Sequence, residues 1–111
     1  MRYNRELLKG STDSLLLSLL NRKPMYGYEI IKELERRSRG YFTIGEGTLY
    51  PALHRLEKRG LIMGKWERQT TGQERRYYHI TEKGRRALEA KVAEWRGFST
   101  AVNSIMLEVS P

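Results

Sequence analysis

The sequence predicts a mainly α fold with a small β-hairpin: three helices, a two-stranded hairpin and one long terminal helix. Three observations predict it. Apolar residues recur at helical spacing in successive segments before Gly60. The period then switches to two on either side of a polar Thr70-Thr71-Gly72-Gln73 turn. Beyond Thr81 a heptad seam runs nearly to the end of the 111-residue chain.

Leu7, Leu8, Leu15, Leu16, Leu19 and Leu20 give a first helix over about residues 5–21, stopped by Pro24 and weakened in its middle by Gly10 and Ser11. A second helix, residues 26–38, turns Ile30, Ile31 and Leu34 inward and Lys32, Glu33, Glu35 and Arg36 outward, and Gly40 ends it. A short extended piece, residues 41–44, leads to a third helix that Gly60 ends. Pro51 lies inside this third segment, and a helix accepts proline only early, where backbone N–H groups lack an intrahelical acceptor. The helix therefore starts between Gly45 and Thr48. A start at Gly45 puts Pro51 late, at the cost of a kink or an unpaired carbonyl.

With Leu49, Ala52, Leu53 and Leu56 inward, the opposite arc of the third helix carries Gly47, Pro51, His54 and Lys58, flanked by Thr48, Tyr50 and Arg55. No acid interrupts it between Glu46 and Glu57. Residues 61–68 and 75–80 then alternate as strands around the polar turn. Alternation places Arg76, Tyr78 and Ile80 on one face and Arg75, Tyr77 and His79 on the other. Strand packing explains Tyr77 and Tyr78 better than base stacking does. Thr81 caps the last helix, which runs from near Glu82 to about Glu108. Helix, helix, helix, hairpin, helix is the order of a winged helix-turn-helix with an added long C-terminal dimerisation helix. The division expected is residues 1–81 for the winged helix-turn-helix and 82–111 for the terminal helix, within one compact unit.

Charge narrows the partners. Lys and Arg total 21 against 13 acids, a net +8, which suits a polyanion. The excess is local: residues 65–86 carry net +4 and residues 21–40 net +3, whereas residues 87–111 carry net −1. A basic helix face alone is usually just solvated. A basic hairpin directly after it favours double-stranded DNA, with side chains near the start of the third helix reaching base edges and the hairpin lying along phosphates. The expected DNA contacts are Tyr26, Thr48, Tyr50, Pro51, His54, Arg55 and Lys58, then Lys65, Arg68, Thr71, Gly72, Arg75 and Arg76 in the wing. Arg75 is the safer phosphate contact, because Arg76 shares its face with the core candidates Tyr78 and Ile80.

In the last helix Leu88, Val92, Trp95, Ser99, Val102, Met106 and Val109 are spaced 4, 3, 4, 3, 4 and 3. A helix of that length exceeds what one small winged domain covers, so a second copy is the expected partner. Leu15 and Leu16 of the first helix are expected to lie against the partner's last helix. Packing of the last helix on the chain's own first helix is the competing arrangement.

Cysteine is absent, which excludes disulfides, thiolate metal sites and a cysteine nucleophile. Residues 1–9 carry no long apolar stretch, and the run from Leu15 to Leu20 is too short to cross a bilayer. A cytoplasmic protein without membrane partner is expected. His54 and His79 are the only histidines, and no metal-ligand spacing or nucleophile–histidine–acid set appears. No enzyme, metal or cofactor is expected. A winged-helix module for RNA or for a protein partner stays open as an alternative.

The chain resembles the PadR-type transcriptional regulators. The matching residues are Pro24-Met25-Tyr26-Gly27-Tyr28-Glu29-Ile30, Gly47-Thr48-Leu49-Tyr50-Pro51-Ala52-Leu53, Arg55-Leu56-Glu57, Gly60-Leu61-Ile62 and Arg76-Tyr77-Tyr78, with Thr81 and Gly84. They stand in order and at the right spacing, and the resemblance covers residues 10 to about 95. A departure lies at Gly10-Ser11-Thr12-Asp13, where leucine more often precedes the aspartate. Length and a single terminal helix make the chain similar to the small LmrR-like, multidrug-sensing subfamily. The resemblance implies a homodimeric repressor on an inverted-repeat operator, released by a planar aromatic effector. It also implies that Trp95 lines the effector site between subunits, and Val92 and Ser99 stand one turn to either side of it. Trp95 as mere filling of a dimer core is the other reading.

Overall fold

The computed structural model describes residues 11–107. Seven elements follow in order: α1 (Thr12–Leu20), β1 (Met25–Tyr26), α2 (Gly27–Arg37), α3 (Glu46–Lys58), β2 (Ile62–Arg68), β3 (Glu74–Ile80) and α4 (Glu82–Met106). The winged helix-turn-helix order expected from the sequence is present, with its long terminal helix. Leu7, Leu8 and Val109 lie outside the described residues.

α1 begins at Thr12, after the Gly10-Ser11 weak point, and buries Leu16, Leu17, Leu19 and Leu20. Asp13 in its first turn complements the helix dipole. α2 starts where the Tyr26 backbone N–H donates to the Glu29 carboxylate at 3.3 Å. It stops because Arg39 and Gly40 turn left-handed (φ 53° and 79°), letting the Gly40 N–H reach back to the Glu35 carbonyl at 2.8 Å. The following loop buries Ile44 and is tied by the Phe42 N–H donating to the Ser38 hydroxyl at 2.9 Å.

Gly45 is the N-cap of α3, so Pro51 stands in the helix interior. It has no N–H to offer the carbonyl of Gly47 one turn earlier, and that residue is exposed, so water can serve the carbonyl. Gly60, at φ 76°, ends the helix and allows the Leu61 N–H to close on the Leu56 carbonyl at 3.0 Å.

The sequence predicts two strands; the sheet has three, in the order β1-β3-β2, all antiparallel. β1 is two residues long, Met25 facing Tyr78 and Tyr26 facing Tyr77, too short to leave any alternation in the sequence. In the wing Ile62 faces Ile80 and Arg68 faces Glu74, with Gly72 left-handed at the tip.

The core gathers Leu16, Leu20, Met25, Ile30, Leu49, Leu53, Leu56 and Ile62 from the helices and the root of the sheet. Thr81 joins α4 to it: its hydroxyl donates to the Gly60 carbonyl at 2.7 Å and accepts from the Gly84 N–H at 3.0 Å. Gly84 must lack a side chain, since a Cβ there would collide with the Leu61 carbonyl oxygen. From this anchor α4 runs 25 residues, about 37 Å. Of α4, only Gly84 and Leu88 are buried. No helix among the described residues is long and apolar enough to cross a membrane.

Candidate nucleic-acid interface

The burial of α3 follows its sequence period. Leu49, Ala52, Leu53 and Leu56 are buried, while Gly47, Thr48, Tyr50, Pro51, His54, Arg55 and Lys58 are exposed. The outward face is thus polar and basic, and its start carries free N–H groups at the positive end of the helix dipole.

Two of these side chains are already engaged. Arg55 pairs with Asp13 of α1 at 3.1 Å, and Arg59 reaches the same carboxylate at 3.8 Å. Tyr50 lies across the start of α2, its ring over Gly27, where a Cβ would strike the phenol oxygen. Tyr50 therefore braces α3 against α2 as well as facing solvent. His54 and Lys58 have no such partner among the interactions of the described residues.

On the wing Lys65, Thr71 and Gly72 are exposed, and Arg68 sits 3.9 Å from Glu74 across the strand pair. Arg75 lies over the Tyr26 ring at 4.3 Å, and that ring meets Tyr77 edge-on at 5.5 Å. So Tyr26, Arg75 and Tyr77 form one cluster joining β1 to the wing. Arg76 goes to the other face and donates to the Glu57 carboxylate of α3 at 2.7 Å. Its guanidinium is already ion-paired and part-buried, unlike that of an open phosphate contact. Burial pushes the phenol of neighbouring Tyr78 above its ordinary range, with Arg76 pulling the other way. Sequence reasoning did not single out Trp66, which stands 63% exposed on the wing beside Arg76.

The terminal helix presents a second surface. Trp95 and Phe98 are each 61% exposed with ring centroids 5.7 Å apart, and Ile105 is 82% exposed. Val92 and Met106 are exposed; Ser99 and Val102 are half-buried. Phe98 and Ile105 were not in the predicted seam, although each follows a seam residue by three, the spacing of one helix face. Leu88 is buried in the chain's own core and Leu16 is fully enclosed there, so the expectation that Leu16 meets a partner does not hold. Leu15, half-buried, instead lines a groove of about 760 Å³ between α1 and α4, together with Ser14, Ser18, Phe42, Val92, Trp95 and Phe98. Glu94 also borders it, paired with Lys91 at 3.6 Å. Among the described residues no cluster of histidine and acidic side chains could hold a metal ion.

Comparison with known proteins places this arrangement. Residues 16–90 match the transcriptional regulator PadR-like family. An uncharacterized protein of Lysinibacillus sphaericus is 36% identical over 101 residues, 91% of this chain and 93% of that protein. A PadR-like transcriptional regulator of Bacillus cereus superposes with a TM-score of 0.83 at 34% identity, covering 94% of this chain and 99% of that one. A transcriptional regulator of Clostridium thermocellum gives 0.81 at 35% identity, covering 91% and 98%.

Proposed function

The chain belongs to the PadR-like family of transcriptional regulators, and from that premise we propose that it represses transcription as a homodimer bound to an inverted-repeat DNA operator. The family consists of regulators rather than enzymes. The observation that carries the reading is the exposed face of α3 from Gly47 to Lys58, which holds no acid except the paired Glu57 and adjoins a basic wing. In this reading α3 enters the major groove, with Thr48, Tyr50, Pro51 and His54 nearest the bases and Lys58 on the backbone. Lys65, Arg68, Thr71, Gly72 and Arg75 follow the phosphates outside it. Arg55 reaches DNA by exchanging Asp13 for a phosphate.

The apolar stripe of α4 supports the dimer: Trp95, Phe98, Ile105 and Met106 are too exposed and contiguous for a solvated helix face. The groove beside Trp95 supports release by a planar aromatic effector, which would stack on the Trp95–Phe98 pair. Such a regulator acts in the cytoplasm, where the DNA is.

Titration of duplex DNA over a range of salt tests the core of this reading. Expected is binding whose logarithm falls linearly with the logarithm of salt, with Arg75→Ala lowering the slope by about one unit for every duplex. Binding to single-stranded RNA or to protein with no affinity for duplex DNA would refute it.

A further inference from the structure

Glu57 is out of place on a surface built for a polyanion. It is the first acid after Glu46 along α3, on the flank of a basic face. Its carboxylate is nonetheless engaged twice: Oε2 accepts the Gly64 backbone N–H at 3.1 Å and the Arg76 guanidinium at 2.7 Å. Gly64 belongs to β2 and Arg76 to β3, so one carboxylate ties α3 to both strands of the wing. The two side chains are only 31% and 34% exposed, which makes this charge-assisted bond firmer than a surface pair. Gly64 supplies the room, because a Cβ there would stand 2.5 Å from the guanidinium. The rings of Trp66 and Tyr78 flank the same group at 5.9 and 5.8 Å.

We infer that Glu57 and Arg76 are positioning residues for DNA binding: they fix the angle between wing and recognition helix, so that both meet one duplex together. This inference rests on the DNA-binding reading above. Beyond Gly64 the outgoing strand is exposed from Lys65 to Arg68, and a two-stranded ribbon without a core is marginal by itself. It is held on one side by β1, where Tyr26 pairs with Tyr77 and carries Arg75 over its ring, and on the α3 side by the Glu57 carboxylate, the bond that ties it to the recognition helix. A wing already set at its bound angle spends less ordering free energy on association.

Charge counting and positioning give opposite signs for one variant. Glu57→Gln removes a negative charge beside the DNA and loosens the hold on Arg76, whose acceptor becomes a neutral amide oxygen, so charge counting gives equal or tighter binding. Positioning gives weaker binding, about tenfold, for the duplex that the wild type selects from a random pool. Arg76→Met should give a similar loss with an unchanged salt slope, where a phosphate contact would lose about one unit. The double variant should lose no more than either single one. Gly64→Ala keeps both charges but displaces the guanidinium, and should reproduce the loss; thermal melting followed by circular dichroism confirms that each variant is folded. Equal or tighter binding by Glu57→Gln overturns the inference, as do additive losses or a reduced slope in Arg76→Met. A wild type without affinity for duplex DNA overturns the proposed function itself, a separate outcome.

Discussion

Glycine does opposite work at two positions of this chain. Gly84 lets α4 close on the Leu61 carbonyl, and Gly84→Ala should cost about 2–4 kcal/mol, read as a lowered melting temperature. Gly47, the second residue of α3, has open space where a Cβ would stand, so Gly47→Ala should add up to about 0.5 kcal/mol of stability, less than at a helix interior. It should nonetheless weaken DNA binding, because the methyl group would stand on the face that approaches the duplex. A Gly47→Ala variant that gains stability and binds DNA as well as the wild type would move the contact away from the start of α3. The engaged state of Arg55 and Arg76 could not have been seen in the sequence. Their acids, Asp13 and Glu57, stand 42 and 19 residues away, beyond the reach of any local pattern.

Whole elements were more legible than their partners. The period of Leu49, Leu53 and Leu56 gave the buried face of α3, and the polar turn gave the wing. β1 left no trace because pairing of two residues is a tertiary event. The spacing predicts a seam through Trp95, Ser99, Val102 and Met106, whereas the exposed aromatic and aliphatic residues of α4 also include Phe98 and Ile105. Positions three and four residues on flank the same helix face from either side, so Phe98 and Ile105 border the line that Ser99 and Met106 border from the other side. Two element-scale outcomes follow. His54→Ala should change which duplex sequence is preferred, while Arg75→Ala should weaken all sequences alike; identical sequence profiles for both would remove α3 as the reader. In the groove, a planar cationic dye should quench indole fluorescence saturably in a Trp66→Phe background, which leaves Trp95 as the sole tryptophan. Binding of the dye followed by its own signal should be lost in Trp95→Ala while the dimer persists. Unchanged dye binding, or collapse to monomers, would make Trp95 core filling.

At the scale of the molecule, a chain 58 Å long with a basic winged end and a terminal helix that is apolar and charge-balanced beyond residue 87 (Lys91 and Arg96 against Glu89 and Glu94) is asymmetric in a way that the proposed pairing would resolve. In the proposed dimer, two copies joined along α4 would put both α3 helices on one side of a dyad, facing half-sites about 34 Å apart. Val102→Asp would set a charge in that contact and should yield monomers by light scattering, with operator affinity falling steeply because each half-site then binds alone. A wild type that is already monomeric at micromolar concentration would contradict the arrangement. Selection of bound fragments from a random duplex pool tests the central claim most directly, since sequence-specific recognition and dyad geometry must appear in the same recovered sites. The expected result is an inverted repeat whose half-site centres lie one turn of B-DNA, about 10 base pairs, or a whole multiple of it apart. Recovery of no consensus, or of a single unrepeated half-site, would contradict it.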